Sequence, residues 1–264
     1  MEKAAGITTP NYIHLVLTRF NLQYEEQDTM GIQPEWLEKR CTLFEQYCLP
    51  SLQAQTCQDF IWILVMDERT PEPYRSRIMN YAQQMSQIRV ISVSYRPDTE
   101  GYFHDLGKQY GGTNIVLITS RIDNDDRFAP DYIARVQALA KEGRRGIISF
   151  PEGRQTFVKN GTSYRIRFVD NHFLSRIETE GFYTALGFQH REATRLGVLA
   201  VPTAEPMWEE MVHSSNMLND YNPEYDYSIT GLGEMADLAC RWIRFQYMRA
   251  GRLLKRLFVA SDKK

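Results

Sequence analysis

The apolar residues of the first half form short runs that alternate with stretches of helical spacing. Residues 12–19 (YIHLVLTR) predict a strand. After a polar stretch, Leu37, Cys41, Phe44 and Cys48 step by 4, 3 and 4 residues, the spacing of one helix face. That helix is predicted over 34–53, with Pro34 in its first turn and Pro50 expected to kink or end it. Residues 59–66 (DFIWILVM) are almost wholly apolar, as a strand covered on both faces must be. Further along, the pattern predicts a helix over 75–85 and a strand over 89–95. A helix over 101–110, ended by Gly111 and Gly112, precedes a buried strand over 113–119. Residues 130–141 read as another helix, with Pro130 near its first position and Asp131 in its first turn, where the dipole favours an anion.

Such alternation predicts an α/β fold around a mostly parallel sheet with right-handed crossovers. Ligands of such a sheet lie beyond the carboxyl ends of its strands. Polar residues gather there: Thr18 and Arg19, then Asp67 to Arg69, then Arg96 to Asp98, then Asp123 to Asp126. The second half changes period. A strand is predicted at 146–150, and a hairpin whose arms, 156–158 and 164–168, flank Asn160-Gly161. Short strands at 183–188 and 198–201 follow, then a helix from near Glu205 that ends about His213. This half reads as an antiparallel extension. With no repeat, low-complexity tract or linker, residues 1–264 are expected to form one domain.

Composition changes this picture little, and charge changes it at one end. Ordinary apolar and charged fractions exclude disordered and fibrous classes. A net charge of −2 offers nucleic acid no general attraction. Residues 239–264, however, carry +7 and the rest −9. The cations of 236–259 are interleaved with apolar residues, so this tail can seat a helix on an anionic membrane or pack on the core with its cationic side in water. The start of the chain lacks a long apolar run, and no stretch reaches the roughly 18–20 apolar residues of a membrane span. Cys41, Cys48, Cys57 and Cys240 show no CxxC spacing, and the first two share a helix face, as core thiols of a reducing compartment would. A cytoplasmic location is the expectation.

The candidate chemistry sits at Asp123-Asn124-Asp125-Asp126. In extended backbone, side chains two apart share a side, so Asp123 and Asp125 are expected to converge. Two carboxylates with open positions suit Mg²⁺ or Mn²⁺, which keep water and accept phosphate oxygens. Such an ion would stabilise a departing diphosphate. Asp126 would add a ligand or orient a water. A helix-loop-helix calcium site is excluded, because counting from Asp123 its third acid falls on Arg127 and its glycine on Phe128. The plain alternative is a solvated acidic turn.

The run ITSRIDNDDRFAPDYI resembles the Asp-x-Asp segment of A-type glycosyltransferases. HLVLTRFN, RCTLFEQYCLPSLQAQTCQDFIWILVMDERTP, SRIDNDD, GIISFPEG and MWEEMVHSSNMLND resemble the putative rhamnosyltransferase family of bacteria, over about residues 12–220. The resemblance implies a Rossmann-like sheet with helices on both faces, a small antiparallel extension and C-terminal helices. It divides the chain into a nucleotide-sugar half (10–145), an acceptor-side half (146–220) and a basic helical tail (221–264). It implies metal-dependent transfer of a sugar, rhamnose by the family's name, from a nucleoside-diphosphate sugar to a glycan, lipid-linked or other hydroxyl acceptor; a basic tail in peripheral contact with the inner face of a membrane would fit such an enzyme.

By position, the resemblance assigns Asp123 and Asp125 to the metal and nucleotide sugar, with Asp126 as an extra acid. It assigns Asp67 to the nucleobase, and Thr18 and Arg19 to the nucleoside. His213, of His213-x-x-Asn216, becomes a further metal ligand, and a neutral imidazole suits Mn²⁺. Arg121 either neutralises the diphosphate or pairs with Asp123. For a proton-accepting base, Glu152, Asp170, His172, Glu178, His190, Glu205 and Glu209 are available, and no context selects among them. A nucleotidyltransferase would carry a Gly-rich phosphate loop near the first strand, where HLVLTRFNLQYEE has no glycine. A non-catalytic nucleotide-sugar-binding module stays open.

Overall fold

The computed structural model describes residues 11–22, 29–95, 98–213 and 221–261, with 251–261 as helix backbone alone. The first half follows the predicted alternation: β1 (Asn11–Arg19), α1 (Pro34–Leu43), α2 (Leu49–Gln53), β2 (Ile61–Asp67), α3 (Tyr74–Gln84), β3 (Ile88–Val93), α4 (Thr99–Tyr110) and β4 (Ile115–Arg121). Pro50 neither ends the helix nor breaks it. A π-helical turn over Phe44–Cys48 joins α1 to α2, and the amide of Leu49 bonds back to the Phe44 carbonyl. The wider turn offsets the carbonyl that the Pro50 ring would otherwise strike. α4 starts at an N-cap, with the Asp98 carboxylate accepting from the Gly101 amide at 2.8 Å. Asp131 is likewise the residue before α5 (Tyr132–Lys141), one step outside the helix turn expected for it, and its carboxylate pairs with Arg135 at 2.5 Å.

The second half contributes β5 (Arg127–Phe128), β6 (Gly146–Ser149), β7 (Glu152–Phe157), β8 (Thr162–Arg167), β9 (Ser175–Glu178), β10 (Leu199–Ala200), β11 (Trp208–Val212), β12 (Asp226–Tyr227) and the helix α6 (Leu232–Ser261). The larger sheet has seven strands in the order β10-β6-β9-β4-β1-β2-β3. All run parallel except β9, which lies antiparallel between β4 and β6. A second sheet of five strands, β12-β8-β7-β11-β5, carries the expected hairpin of β7 and β8. At its turn Gly161 takes φ +70°, where a side chain would be strained.

Two sequence expectations fail here. Residues 183–188 form no strand. They lie across the sheet as a loop, with the Ala185 amide donating to Thr119 Oγ1 at 2.9 Å and Leu186 packed against Leu15 and Leu117. The helix expected from near Glu205 is instead the strand β11, parallel to β7 and antiparallel to β5. The antiparallel strand beside β4 is β9, whose Arg176 and Glu178 pair outward at 2.5 Å while Ser175 and Ile177 face inward.

Burial on both faces explains the apolar runs of β1, β2 and β4. Val16, Trp62 and Leu64 join Phe44 and Tyr81 on the side of α1 and α3, while Leu15, Leu17, Ile63 and Val65 meet Phe103 and Leu106 of α4 on the other. Cys41 and Cys48 are buried thiols of this core, as their spacing predicted, while Cys57 is half-buried and Cys240 exposed. α6 docks on the second sheet through Leu238, through Asp237, which accepts from Tyr164 at 2.5 Å, and through Arg241, which lies over the Phe157 ring. Among the described residues, no helix is long and apolar enough to cross a membrane.

Candidate functional site

The acidic segment leaves β4 as a turn and not as extended chain: the Asp126 amide donates to the Asp123 carbonyl at 3.3 Å. Side chains three apart then share a side, and the expected pairing of Asp123 with Asp125 gives way to Asp123 with Asp126. His172, in the loop before β9, completes the group, and one ligand atom from each of the three residues lies within 4.8 Å of the others. Asp126 is buried, accepting from the Met211 amide at 2.9 Å on Oδ1 and lying 2.8 Å from His172 Nε2 on Oδ2.

Asp125 turns the other way. Its Oδ2 pairs with Arg40 of α1 and lies 2.9 Å from His213 Nε2. The predicted ligands Asp125 and His213 therefore meet each other, next to the three-residue group and outside it. Asn124 locks the turn, its amide donating to the Phe20 carbonyl at 2.6 Å and its Oδ1 accepting from Arg40 at 3.1 Å. Asn216, the other half of the His-x-x-Asn pattern, lies outside the described residues, as do Arg96 and Pro97.

Arg40, the acidic turn from Asp123 to Asp126 and His172 line a cavity of about 710 Å³ at the carboxyl ends of the parallel strands, within the range of small-molecule sites. Arg19, Arg40, Arg121 and Arg191 bring positive charge to it, and Phe168, Tyr221, Tyr225 and Phe245 bring aromatic rings. Arg121 reaches Asp123 at 3.3 Å, the pairing sequence left undecided. Thr18 does not reach the cavity. It is fully buried and accepts from Trp62 Nε1 at 3.0 Å, because its place in the β1 alternation points it into the core. Asp67 ends β2 beside a small recess lined by Leu22, Val93, Tyr95 and Tyr102. Both its oxygens accept from Arg69.

The electrostatics follow from crowding. Burial, reinforced by the charges of Asp125 and Asp123, pushes the Asp126 carboxyl well above the usual range. Burial opposes ionisation of Asp123 too, but Arg121, His172 and Arg19 together outweigh it and hold that carboxyl below its ordinary value. Burial also lowers His172, against the pull of Asp123 and Glu210. His190, whose ring lies 6.1 Å from that of His172, is brought down to about 4, first by burial and then by Arg121 and His172. Its Nδ1 lies 3.0 Å from the Asp170 carbonyl, which can only accept, so the proton sits on Nδ1 and Nε2 keeps its lone pair.

Three residues of the site escaped selection from sequence. His172 was one of seven undistinguished bases. Arg40 sits on the buried face of the 34–53 helix between Leu37 and Cys41, and a cation at a core-facing position was the available signal. Glu210 is buried on β11 and lines the cavity, and the helix expected there hid it.

The donor set fits a hard divalent cation. Carboxylate oxygens and one imidazole suit Mn²⁺. Residues 15–220 match the family described as "Putative rhamnosyl transferase". No curated protein matches the chain. Among solved structures, TarS 1–349 of S. aureus is similar at 12% identity and TM-score 0.44, over 76% of this chain and 60% of that one. TarS 1–349 in complex with UDP-GlcNAc is similar at 11% identity and TM-score 0.46, over 78% and 60%. The chain thus spans three-fifths of those structures.

Proposed function

The chain belongs to the putative rhamnosyl transferase family, and from that membership we propose that it transfers a glycosyl group from a nucleoside-diphosphate sugar to a hydroxyl acceptor, with Mn²⁺ or Mg²⁺ bound. The observation that carries this reading is the Asp123, Asp126 and His172 group, set at the carboxyl edge of a parallel sheet in a cavity with four arginines. A bound cation supplies the charge that stabilises a departing diphosphate. Asp123, Asp126 and His172 would hold it. Arg19 and Arg121, which line the cavity, would face the diphosphate, and Arg40 and His213 hold Asp125 so that the turn keeps its shape. The family's description makes 6-deoxyhexose donors the first to try.

Calorimetric titration of UDP, GDP and dTDP with and without Mn²⁺, followed by nucleoside-diphosphate release from a matching donor panel, tests the reading. Binding should require Mn²⁺ and should weaken at least tenfold in Asp126→Asn. Metal-independent binding in both proteins would remove the cation from the proposal, and binding without release would leave a carrier instead of an enzyme.

α6 supports a peripheral membrane contact. Met235, Trp242, Ile243 and Tyr247 of this helix are exposed, and Arg244 and Arg249 lie on the same helix. Exposed aromatics beside cations suit an anionic bilayer surface. The full chain should sediment with phosphatidylglycerol-containing vesicles and not with pure phosphatidylcholine ones, and a Trp242→Ser, Ile243→Ser variant should stay in the supernatant. Equal behaviour of the two proteins would refute the contact.

A further inference from the structure

Glu210 is a buried acid of the cavity that the cation group does not use. β11 sets its place: the amide of the next residue, Met211, donates to Asp126 Oδ1 at 2.9 Å, so one peptide unit separates Glu210 from the acidic turn. Both of its hydrogen bonds fall on one oxygen. Gln155 Nε2 donates to Oε2 at 2.9 Å and the Tyr225 hydroxyl donates to it at 3.1 Å. The Tyr227 hydroxyl donates to Gln155 Oε1 at 2.8 Å, which turns the amide so that its NH₂ faces Glu210. Oε1 accepts no hydrogen bond among the described residues. A carboxylate anchored through one oxygen, with the other left to a cavity, has the geometry of a proton acceptor. Phe168 and Tyr225, with ring centroids 5.0 Å apart, and Tyr221 and Phe245, 6.2 Å apart, line the same cavity, and flat aromatic faces suit the C–H face of a pyranose.

We propose that Glu210 is the general base of the transfer, accepting the acceptor's hydroxyl proton on Oε1 while these aromatic rings hold a pyranose acceptor. This rests on the glycosyl-transfer reading above. In the step, the acceptor O–H bond breaks and its proton passes to Oε1. The acceptor oxygen bonds to the anomeric carbon, and the bond from that carbon to the diphosphate oxygen breaks, its electron pair leaving with the nucleoside diphosphate. One displacement of this kind inverts the anomeric configuration.

The surroundings agree. Burial, helped by the charge of Asp126 and opposed by His172, Gln155 and Tyr225, brings the Glu210 carboxyl up to about 7, and a base whose pKa lies near the working pH transfers protons best. The titratable groups that face it are Asp126 from the acidic turn, His172 from the loop before β9, and Tyr225 and Tyr227 at β12. His190, brought down to about 4, is the weaker acceptor on the same cavity.

The test uses the full chain, the fastest donor from the UDP-, GDP- and dTDP-sugar panel, and water or a methyl pyranoside as acceptor. Glu210→Gln should lower kcat by roughly 10²–10⁴-fold while its calorimetric affinity for the nucleoside diphosphate stays within a factor of about three, which also reports that the variant is folded. Tyr225→Phe, which removes one donor to the carboxylate, should move the acidic limb of the kcat/KM profile to higher pH. Proton NMR of the first product should show the inverted anomer. A Glu210→Gln protein with kcat within tenfold of wild type, or a retained anomer, overturns the assignment. Wild-type protein that binds nucleotide but releases none from any donor overturns the transfer reading itself, and this inference with it.

Discussion

Replacing Gly153 with alanine should cost stability through a single ring. A Cβ built at Gly153 lies within 3.0 Å of three carbons of the Trp208 indole (Cδ2, Cε2 and Cζ2), closer than such atoms approach in folded proteins. Trp208 cannot step aside cheaply. It is 1% exposed, donates Nε1 to the Phe150 carbonyl at 2.8 Å, and stacks on Phe173 with centroids 4.6 Å apart. Overpacking of this kind costs about 1–3 kcal/mol, and losing or bending the indole hydrogen bond adds roughly 1. For a chain of this size, a loss of about 2–4 kcal/mol lowers the melting temperature by roughly 5–12 °C. The same push acts on the site, because Phe173 follows His172 and its carbonyl accepts from the Tyr132 hydroxyl at 2.6 Å. The Mn²⁺-induced rise in melting temperature should therefore shrink in Gly153→Ala. Calorimetric melts of Gly153→Ala, Trp208→Phe and the double variant decide the matter. A smaller ring leaves room for the methyl group, so the double variant should be clearly more stable than the sum of the two single losses. Additive losses, or a single-variant loss under about 0.5 kcal/mol, would refute the steric reasoning.

Arg40→Ala leaves the buried Asp125 carboxylate beside Asp126 without its guanidinium. Breaking a buried pair costs about 3–5 kcal/mol, and urea melts with Mn²⁺ present and absent should show the larger loss without it. His14 is buried with Nε2 2.9 Å from Ser120 Oγ, and burial lowers its pKa to about 3. The unfolded imidazole takes up a proton near pH 6.5 while the folded one resists, so this contribution is complete above about 6.5 and declines as pH falls toward 3. Between pH 6.5 and 5 the chain should lose about 2 kcal/mol from this group, and His14→Gln should flatten that slope in denaturant titrations. An unchanged slope would exclude His14 as its source.

The parts of the fold that sequence revealed are those where burial is complete on both faces. Residues such as Trp62 to Val65 are buried without exception, so the strand announces itself by composition alone. The second half has short strands with mixed faces, and there the pattern misleads. In MWEEMV every residue but Glu209 is buried, so the strand shows no alternation, and Glu209 and Glu210 side by side also resemble a helix surface. The acidic segment was found because it ends a buried strand, yet its partners were misread, since the two-residue alternation of extended chain does not survive a turn. His172 and Arg40 reach the site from 46 and 85 residues away, a juxtaposition that only the tertiary fold defines.

The place of β9 has a consequence for how the chain is made. β6 ends at Ser149 and its neighbour β9 ends at Glu178. During synthesis at about 5–20 residues per second, the edge of β6 therefore waits roughly 1.5–6 s, and that of β4, complete at Arg121, roughly 3–11 s, for the strand that joins them. In that interval the growing chain presents two unpaired apolar edges, each a template for a stray strand. Ribosome-bound chains stalled between these points should be the species most prone to misassociation and most engaged by chaperones, whereas chains released past Glu178 should not.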